Sequence, residues 1–415
     1  MSVPQTTRLG AGRWVDAAQF PAGTIESTHQ LTTADDARVG GVLRTVPQAR
    51  AVVCLAHPRQ DVTHHVLVPE LLRLGYAVWT QGTRSPNNDL SLLHEQALLD
   101  VGAGQRFLRQ QGWPSVITLG HSGGGALFAF YHEQASAAPA DRIARGPSGR
   151  PTGLPEADLP PPDGAIFMAP HPGQGQLLMR LIDPSVADES DPMSVDPALD
   201  PYHPDNGFAP APASSSYSPE FVARYREAQR ERVARLDAIA RQRVAEAAAA
   251  RRAHAASGDP LDRRRALAPR LLTVYRTDAD LRCVDLSIDP NQRPYGSLFG
   301  RRPDLTNYGL AGFGRLATPD AWLSTWSGLS SQASFLRCAP GVRAPTLLIE
   351  LSGDQACFPA DIDAMAGALG ANDLTLATVA GTHFGGPAAA GAPSGASLAA
   401  VEIGAWLADR FRGRP

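Results

Sequence analysis

Four short runs in this 415-residue chain are almost wholly apolar: AVVCLA at 51–56, SVITLG at 115–120, GAIFMA at 164–169 and TLLIEL at 346–351. A strand that alternates apolar and polar residues has one wet face. These runs do not alternate, so each must be covered on both sides. The first three are separated by segments of helical period. Over 92–111, Leu92, Leu93, Ala97, Leu98, Val101, Phe107 and Leu108 recur near helical spacing, and Gly112 and Pro114 stop the run. A shorter helical stretch, VLVPELLRLGY, precedes a strand AVWT at 77–80. Such alternation dictates a mostly parallel sheet flanked by helices, because parallel strands need long crossovers that pack on the sheet faces. Ahead of it, 26–46 reads as a β-hairpin turning at the polar residues 34–36.

The alternation stops near His171 and resumes at Pro345. Between them lie a Pro-, Asp- and Ser-rich excursion at 183–218, a long charged helix at 219–256 closed by Gly258 and Pro260, and an aromatic-dense piece at 282–332. The long helix carries Phe221, Tyr225, Val233, Leu236 and Val244 on one stripe, interrupted by Gln229 and Arg243. A stripe so broken suits a solvated helix better than a coiled-coil arm. After 345 come TLLIEL, a short helix at 360–369, a strand LTLATVA and a terminal amphipathic helix at 398–411. Four segments are expected: an irregular N-terminal arm at 1–25, a first core part at 26–170, a cap or lid insertion at 171–342, and the rest of the core at 343–415.

Chemistry is signalled first by LGHSGGG, in which Gly120, Ser122 and Gly124 form a G-x-S-x-G pattern between a buried strand and a helix. Glycines are needed there because side chains would strike the adjoining strand and helix. A helix-capping serine would use the same letters. A serine hydroxyl alone is a poor nucleophile and needs a base. His383 follows LTLATVA within GTHFG, and Asp354 follows TLLIEL within SGDQ. Both fall on loops at the carboxyl ends of strands, in the chain order serine, acid, histidine.

In that order and placement the chain resembles the α/β-hydrolase superfamily over about 26–170 and 345–412. The resemblance implies an α/β-hydrolase fold, a mostly parallel sheet flanked by helices, with a large mainly helical cap inserted between core strands. It implies Ser122 as nucleophile, His383 as general base and Asp354 as the acid that orients the histidine. It also implies two N–H donors for an oxyanion: that of Gly123 and one from the loop after AVVCLA. The family often carries His-Gly in that loop. This chain has His57-Pro58-Arg59-Gln60, and Pro58 has no N–H, which leaves Arg59 as the second donor. His57 is read as shaping that loop beside the substrate, and His121 as lining the pocket or packing beneath it. Tyr295, Phe299, Trp322 and Trp326 are candidates for an apolar pocket lining, or for the cap's own small core.

The chain contains no lysine, which excludes Schiff-base chemistry on an ε-amine and a Walker-type phosphate lysine. Net charge is −3, so neither nucleic acid nor a membrane surface is expected as partner. Cys54, Cys283, Cys338 and Cys357 are scattered without metal-site spacing. The acidic residues of 188–205 lack the spacing of a calcium loop. Neither metal nor cofactor is called for, and a cytoplasmic setting is expected. The expected activity is hydrolysis of a small-molecule carboxylic ester through an acyl-enzyme. A thioesterase on the same triad is the rival within enzymes, and a non-catalytic binding module on a hydrolase fold is the rival outside them. Oligomeric state is left open.

Overall fold

The structure is a computed structural model that describes residues 20–86 and 88–411. The arm expected at 1–25 falls mostly outside these residues. Eight strands form one sheet: β1 (Ile25–Thr32), β2 (Arg38–Thr45), β3 (Ala51–Ala56), β4 (Ala77–Gln81), β5 (Ser115–His121), β6 (Gly164–Met168), β7 (Thr346–Gly353) and β8 (Leu374–Thr382). Their spatial order is β1-β2-β4-β3-β5-β6-β7-β8. β2 runs antiparallel to both β1 and β4, and every other neighbouring pair is parallel. The principal helices are α1 (Val68–Arg73), α2 (His94–Gln110), α3 (Gly123–Ser136), α4 (Gln174–Leu181), α5 (Pro219–Ser257), α6 (Pro260–Leu267), α7 (Pro359–Ala368) and α8 (Gly395–Phe411).

The apolar strands are covered on both faces, as their composition requires. Val53, Leu55, Ile117, Ile166 and Ile349 pack against Leu71 of α1 and against Ile403 and Leu407 of α8. Their neighbours point the other way. Phe167 and Leu348 meet Leu98 of α2, Phe128 and Phe130 of α3, and Met365 of α7. Val52, Cys54 and Val116 meet Trp79 and Leu108. Period-two alternation thus appears as a choice of face, with both faces dry.

Between β6 and β7 lies a large helical insertion. Its longest element, α5, has 39 residues, begins with Ser218 capping the Phe221 amide at 3.1 Å, and ends at Gly258 with φ +71°. Buried residues of α5 run from Phe221 to Ala240 and then stop. Val233, Leu236 and Ala240 join Leu177 and Leu178 of α4 and Trp322 and Trp326 in the insertion's own core. Gln229, which interrupts the stripe in the sequence, is buried for a polar reason. Its Nε2 donates to the carbonyls of Arg180 and Ile182 at 2.8 and 2.7 Å, capping the end of α4. Arg232 is equally buried and grips Glu189 with two N–H···O bonds of 2.9 and 2.8 Å. The insertion is clamped to the core at the start of α2: Ser324 Oγ donates to Glu95 and accepts from the His94 amide, and Thr325 Oγ1 donates to the Leu92 carbonyl. Among the described residues, no helix is long and apolar enough to cross a membrane.

Two helical glycines separate packing from propensity. A Cβ on Gly104 of α2 would stand 1.8 Å from Gln81 Oε1, which is locked by bonds from Trp79 Nε1 and to the Asp100 carbonyl. At Gly367 of α7 a Cβ would meet nothing among the described residues within 4 Å. Removing a helical glycine gains up to about 1 kcal/mol, and overpacking costs about 1–3 kcal/mol. Denaturant titration is expected to find Gly104→Ala destabilised by about 1–2 kcal/mol, and Gly367→Ala unchanged or more stable.

Candidate active site

A tight turn joins β5 to α3. Ser122 occupies it with φ +55° and ψ −124°, outside the regions a side-chain-bearing residue prefers. Its neighbours show why the turn is glycine-lined. A Cβ on Gly120 would come within 2.6 Å of the Gly124 carbonyl oxygen, and one on Gly124 within 2.6 Å of that of Ala56. A Cβ on Gly125 would stand 2.5 Å from Pro170 Cβ. Helix α3 can therefore start directly under β3 and β6, and the serine is thrust out at the carboxyl end of the sheet.

His383, one residue past β8, brings Nε2 to 2.9 Å from Ser122 Oγ. Its Nδ1 lies 2.9 Å from each carboxylate oxygen of Asp354, one residue past β7. A carboxylate only accepts, so Nδ1 carries the proton and Nε2 turns a lone pair to the serine hydroxyl. Asp354 is held in turn by the amides of Ala356 and Cys357, which donate to its Oδ1 at 2.7 and 3.0 Å. The three side chains are 8, 2 and 1% exposed in the order Ser122, His383, Asp354. A strand order that begins with an antiparallel hairpin, continues parallel, and ends its strands at a serine, an aspartate and a histidine decides the architecture.

This is the α/β-hydrolase fold.

Solved structures similar to the chain include an esterase of Pyrococcus furiosus (11% identity, 97% of this chain and 96% of that one covered, TM-score 0.43). DcsB in complex with its substrate analogue is another (10% identity, 94% and 100% covered, TM-score 0.48). A third is the esterase domain of a Rhodothermus marinus protein (12% identity, 92% and 98% covered, TM-score 0.41). No family model and no curated sequence matches the chain.

Other histidines surround the hydrolase-fold elbow. His121 Nε2 lies 2.7 Å from the backbone oxygen of His383, and His65 Nε2 lies 2.8 Å from His121 Nδ1. The carbonyl must accept, so His121 donates from Nε2, leaves Nδ1 to accept from His65, and holds the His383 loop in place. His65 Nδ1 completes the series by accepting the Leu67 amide at 3.3 Å. Of the adjacent pair His64 and His65, the second thus supplies one member of this chain.

The loop after β3 departs from the sequence expectation. The Arg59 amide, expected to face an oxyanion, donates instead to His57 Nδ1 at 3.1 Å, and the Gln60 amide donates to the same atom at 3.0 Å. Pro58 offers no N–H, so the amides that follow it close onto the ring. The Arg59 side chain pairs with Asp89 at 2.6 and 2.5 Å and lies over Phe313 and Trp326. His57, with Nδ1 accepting twice, carries its proton on Nε2, which faces Gly123. Two residues that the sequence reading passed over face the same glycine. His171 follows β6, and Gln174 opens α4. The run APHPGQGQ held both, but no spacing rule marked them.

The aromatic candidates separate. Tyr295 donates to the Ala209 carbonyl at 2.9 Å and packs with a cluster around Tyr217 and Phe221. Trp322 is fully buried in the insertion's core and donates to Asp237 at 2.8 Å. Trp326 lies beneath Arg59 and donates to the Asp89 carbonyl at 3.2 Å. Phe299 meets Phe313 edge to face at 5.0 Å, and both line a small crevice that reaches Gln355 and Ala356, beside Asp354.

Burial pushes His171 down to about 3 from an ordinary 6.5, with the nearby His383 adding to the effect. The unfolded chain takes up this proton as pH falls through 6.5, and the folded chain resists until about 3. Wild type therefore loses stability on acidification relative to a variant without the group. Comparing denaturation near pH 7 and near pH 5, we expect His171→Gln to gain about 2 kcal/mol on wild type over that interval.

Proposed function

We propose that this protein is a serine hydrolase that cleaves a carboxylic ester through an acyl-enzyme. The observation that carries the reading is the unbroken hydrogen-bonded series Ser122 Oγ, His383, Asp354, each link 2.9 Å long and less than a tenth exposed. In that series His383 Nε2 takes the Ser122 proton as Oγ attacks the carbonyl carbon. Asp354 keeps the imidazole in the tautomer that can accept, and stabilises the imidazolium that results. The Gly123 amide, at the head of α3, offers an N–H and the positive end of the helix to the developing oxyanion. His383 then passes its proton to the leaving alcohol, and water activated by the same ring releases the acyl group.

The buried nucleophile and the large insertion over the sheet suit a small-molecule ester. Four unpaired, buried cysteines suit a reducing, cytoplasmic setting.

A fluorophosphonate probe read by intact mass is expected to add once to wild type and not to Ser122→Ala. Two unlabelled, folded proteins would leave the hydrolase fold in a binding role. A panel of p-nitrophenyl esters against acyl thioesters, run on labelled-competent protein, is expected to favour the esters. Asp354→Asn is expected to lower kcat by about 10⁴-fold, the loss seen when the acid that sets the histidine tautomer is removed.

A further inference from the structure

The backbone amides available to the second half of an oxyanion site, those of Arg59 and Gln60, are both turned to His57 Nδ1. Side chains stand there instead. The point at which a Cβ on Gly123 would sit is about 2.5 Å from that residue's own amide nitrogen, by ordinary tetrahedral geometry. Around this point are Gln174 Nε2 at 2.5 Å, His57 Nε2 at 2.8 Å and His171 Nε2 at 3.0 Å. A Cβ would collide with all of them, so glycine after the nucleophile is what lets them gather.

Gln174 is 2% exposed, and among the described residues neither its Nε2 nor its Oε1 has a hydrogen-bond partner. A buried amide left in this condition costs about 1–3 kcal/mol, and native proteins keep few such groups. His171 accepts the Gly173 amide on Nδ1 at 3.1 Å, which puts its proton on Nε2, the atom aimed at Gly123. Burial keeps the ring neutral down to about 3, so it remains a single, fixed donor.

We propose that the oxyanion formed at Ser122 is bound by one backbone amide, that of Gly123, and by the side-chain N–H groups of Gln174 and His171. The proposal rests on the hydrolase reading above. When Ser122 Oγ bonds to the carbonyl carbon, its proton goes to His383 Nε2 and the carbonyl π pair moves onto oxygen. That charge gives Gln174 Nε2 an acceptor. As the bond to the leaving alcohol breaks, the pair returns to the carbonyl and the alkoxide takes the proton from His383. Neutral donors fixed by burial need no rearrangement at that moment, which is where preorganised sites gain most.

The test uses the full chain as wild type, Gln174→Met, Gln174→Glu, His171→Phe and His171→Gln. Each is measured for p-nitrophenyl butyrate turnover, for fluorophosphonate labelling at Ser122, and for thermal melting. Gln174→Met keeps the shape and discards an unpaired amide, so its melting temperature should hold or rise. Its kcat should fall about 100-fold or more, with KM within about threefold. Gln174→Glu retains an acceptor but no donor and should fall at least as far. His171→Phe should fall similarly, and His171→Gln, which restores an N–H, should recover part of the loss. The assignment is overturned if Gln174→Met and His171→Phe keep kcat within about threefold. It is also overturned if Gln174→Glu matches wild type while Gln174→Met is impaired, since Gln174 would then be an acceptor that only positions a neighbour. Wild type that neither labels nor turns over would sink the hydrolase reading, and this proposal with it. A labelled wild type with unimpaired variants removes the donor assignment alone.

Discussion

Ser122 sits at a backbone conformation that costs about 1–3 kcal/mol for a residue with a side chain, and the sheet is arranged to hold it there. Gly120, Gly124 and Gly125 each approach a neighbouring helix, strand or loop closely enough that a methyl group would collide. Because the helix starts under two strands, the serine has one direction in which to point. The ends of β7 and β8 then fall within reach of it. Asp354 and His383 are one residue beyond their strands, so their positions are inherited from the pairing register of the sheet and not from flexible loops.

A second theme is the use of neutral imidazole as a directional element. His57 and His171 each receive backbone amides on Nδ1, and His65 and His121 each hand a proton on from Nε2. In every case the partner on one nitrogen dictates what the other can do. Lysine has no such two-sided character, and the chain has none. Where a fixed cation is wanted, arginine serves with its planar fork, as Arg232 does on Glu189 and Arg59 on Asp89.

The core was legible in the sequence because it is governed by short-range rules. Runs without polar alternation can only be doubly covered strands, and the hairpin, the elbow, Asp354 and His383 follow from local pattern and chain order. What was illegible depends on packing between distant segments. That Gln229 caps α4 requires knowing that α5 lies across it. That Trp322 is core and Phe299 lines a crevice is decided by which side of the insertion each faces. The direction of the Arg59 amide is illegible because the sequence shows that Pro58 lacks a donor, but not that His57 collects the two amides beyond it. The placement of His171 and Gln174 beside Gly123 is illegible for the same reason. Nothing about a histidine and a glutamine after a strand marks them until the glycine they converge on is placed.

The far part of α5 has a different mechanical status from the rest. No residue of it beyond Ala240 is buried, and α6 folds back against it through Gly258. Seventeen residues of helix at about 1.5 Å each make a rod of about 25 Å. Its first residues are still tied to the insertion, through Val244 packed on that core and through Arg241 and Arg243, which donate to Pro147, Ser330 and Leu271. The rest draws its stability from alanine-rich helix propensity and from α6. Such a unit opens locally at low free energy while the global fold stays intact. Proteolytic nicks should begin at the turn around Gly258, and an inserted peptide there should be carried without disturbing the sheet.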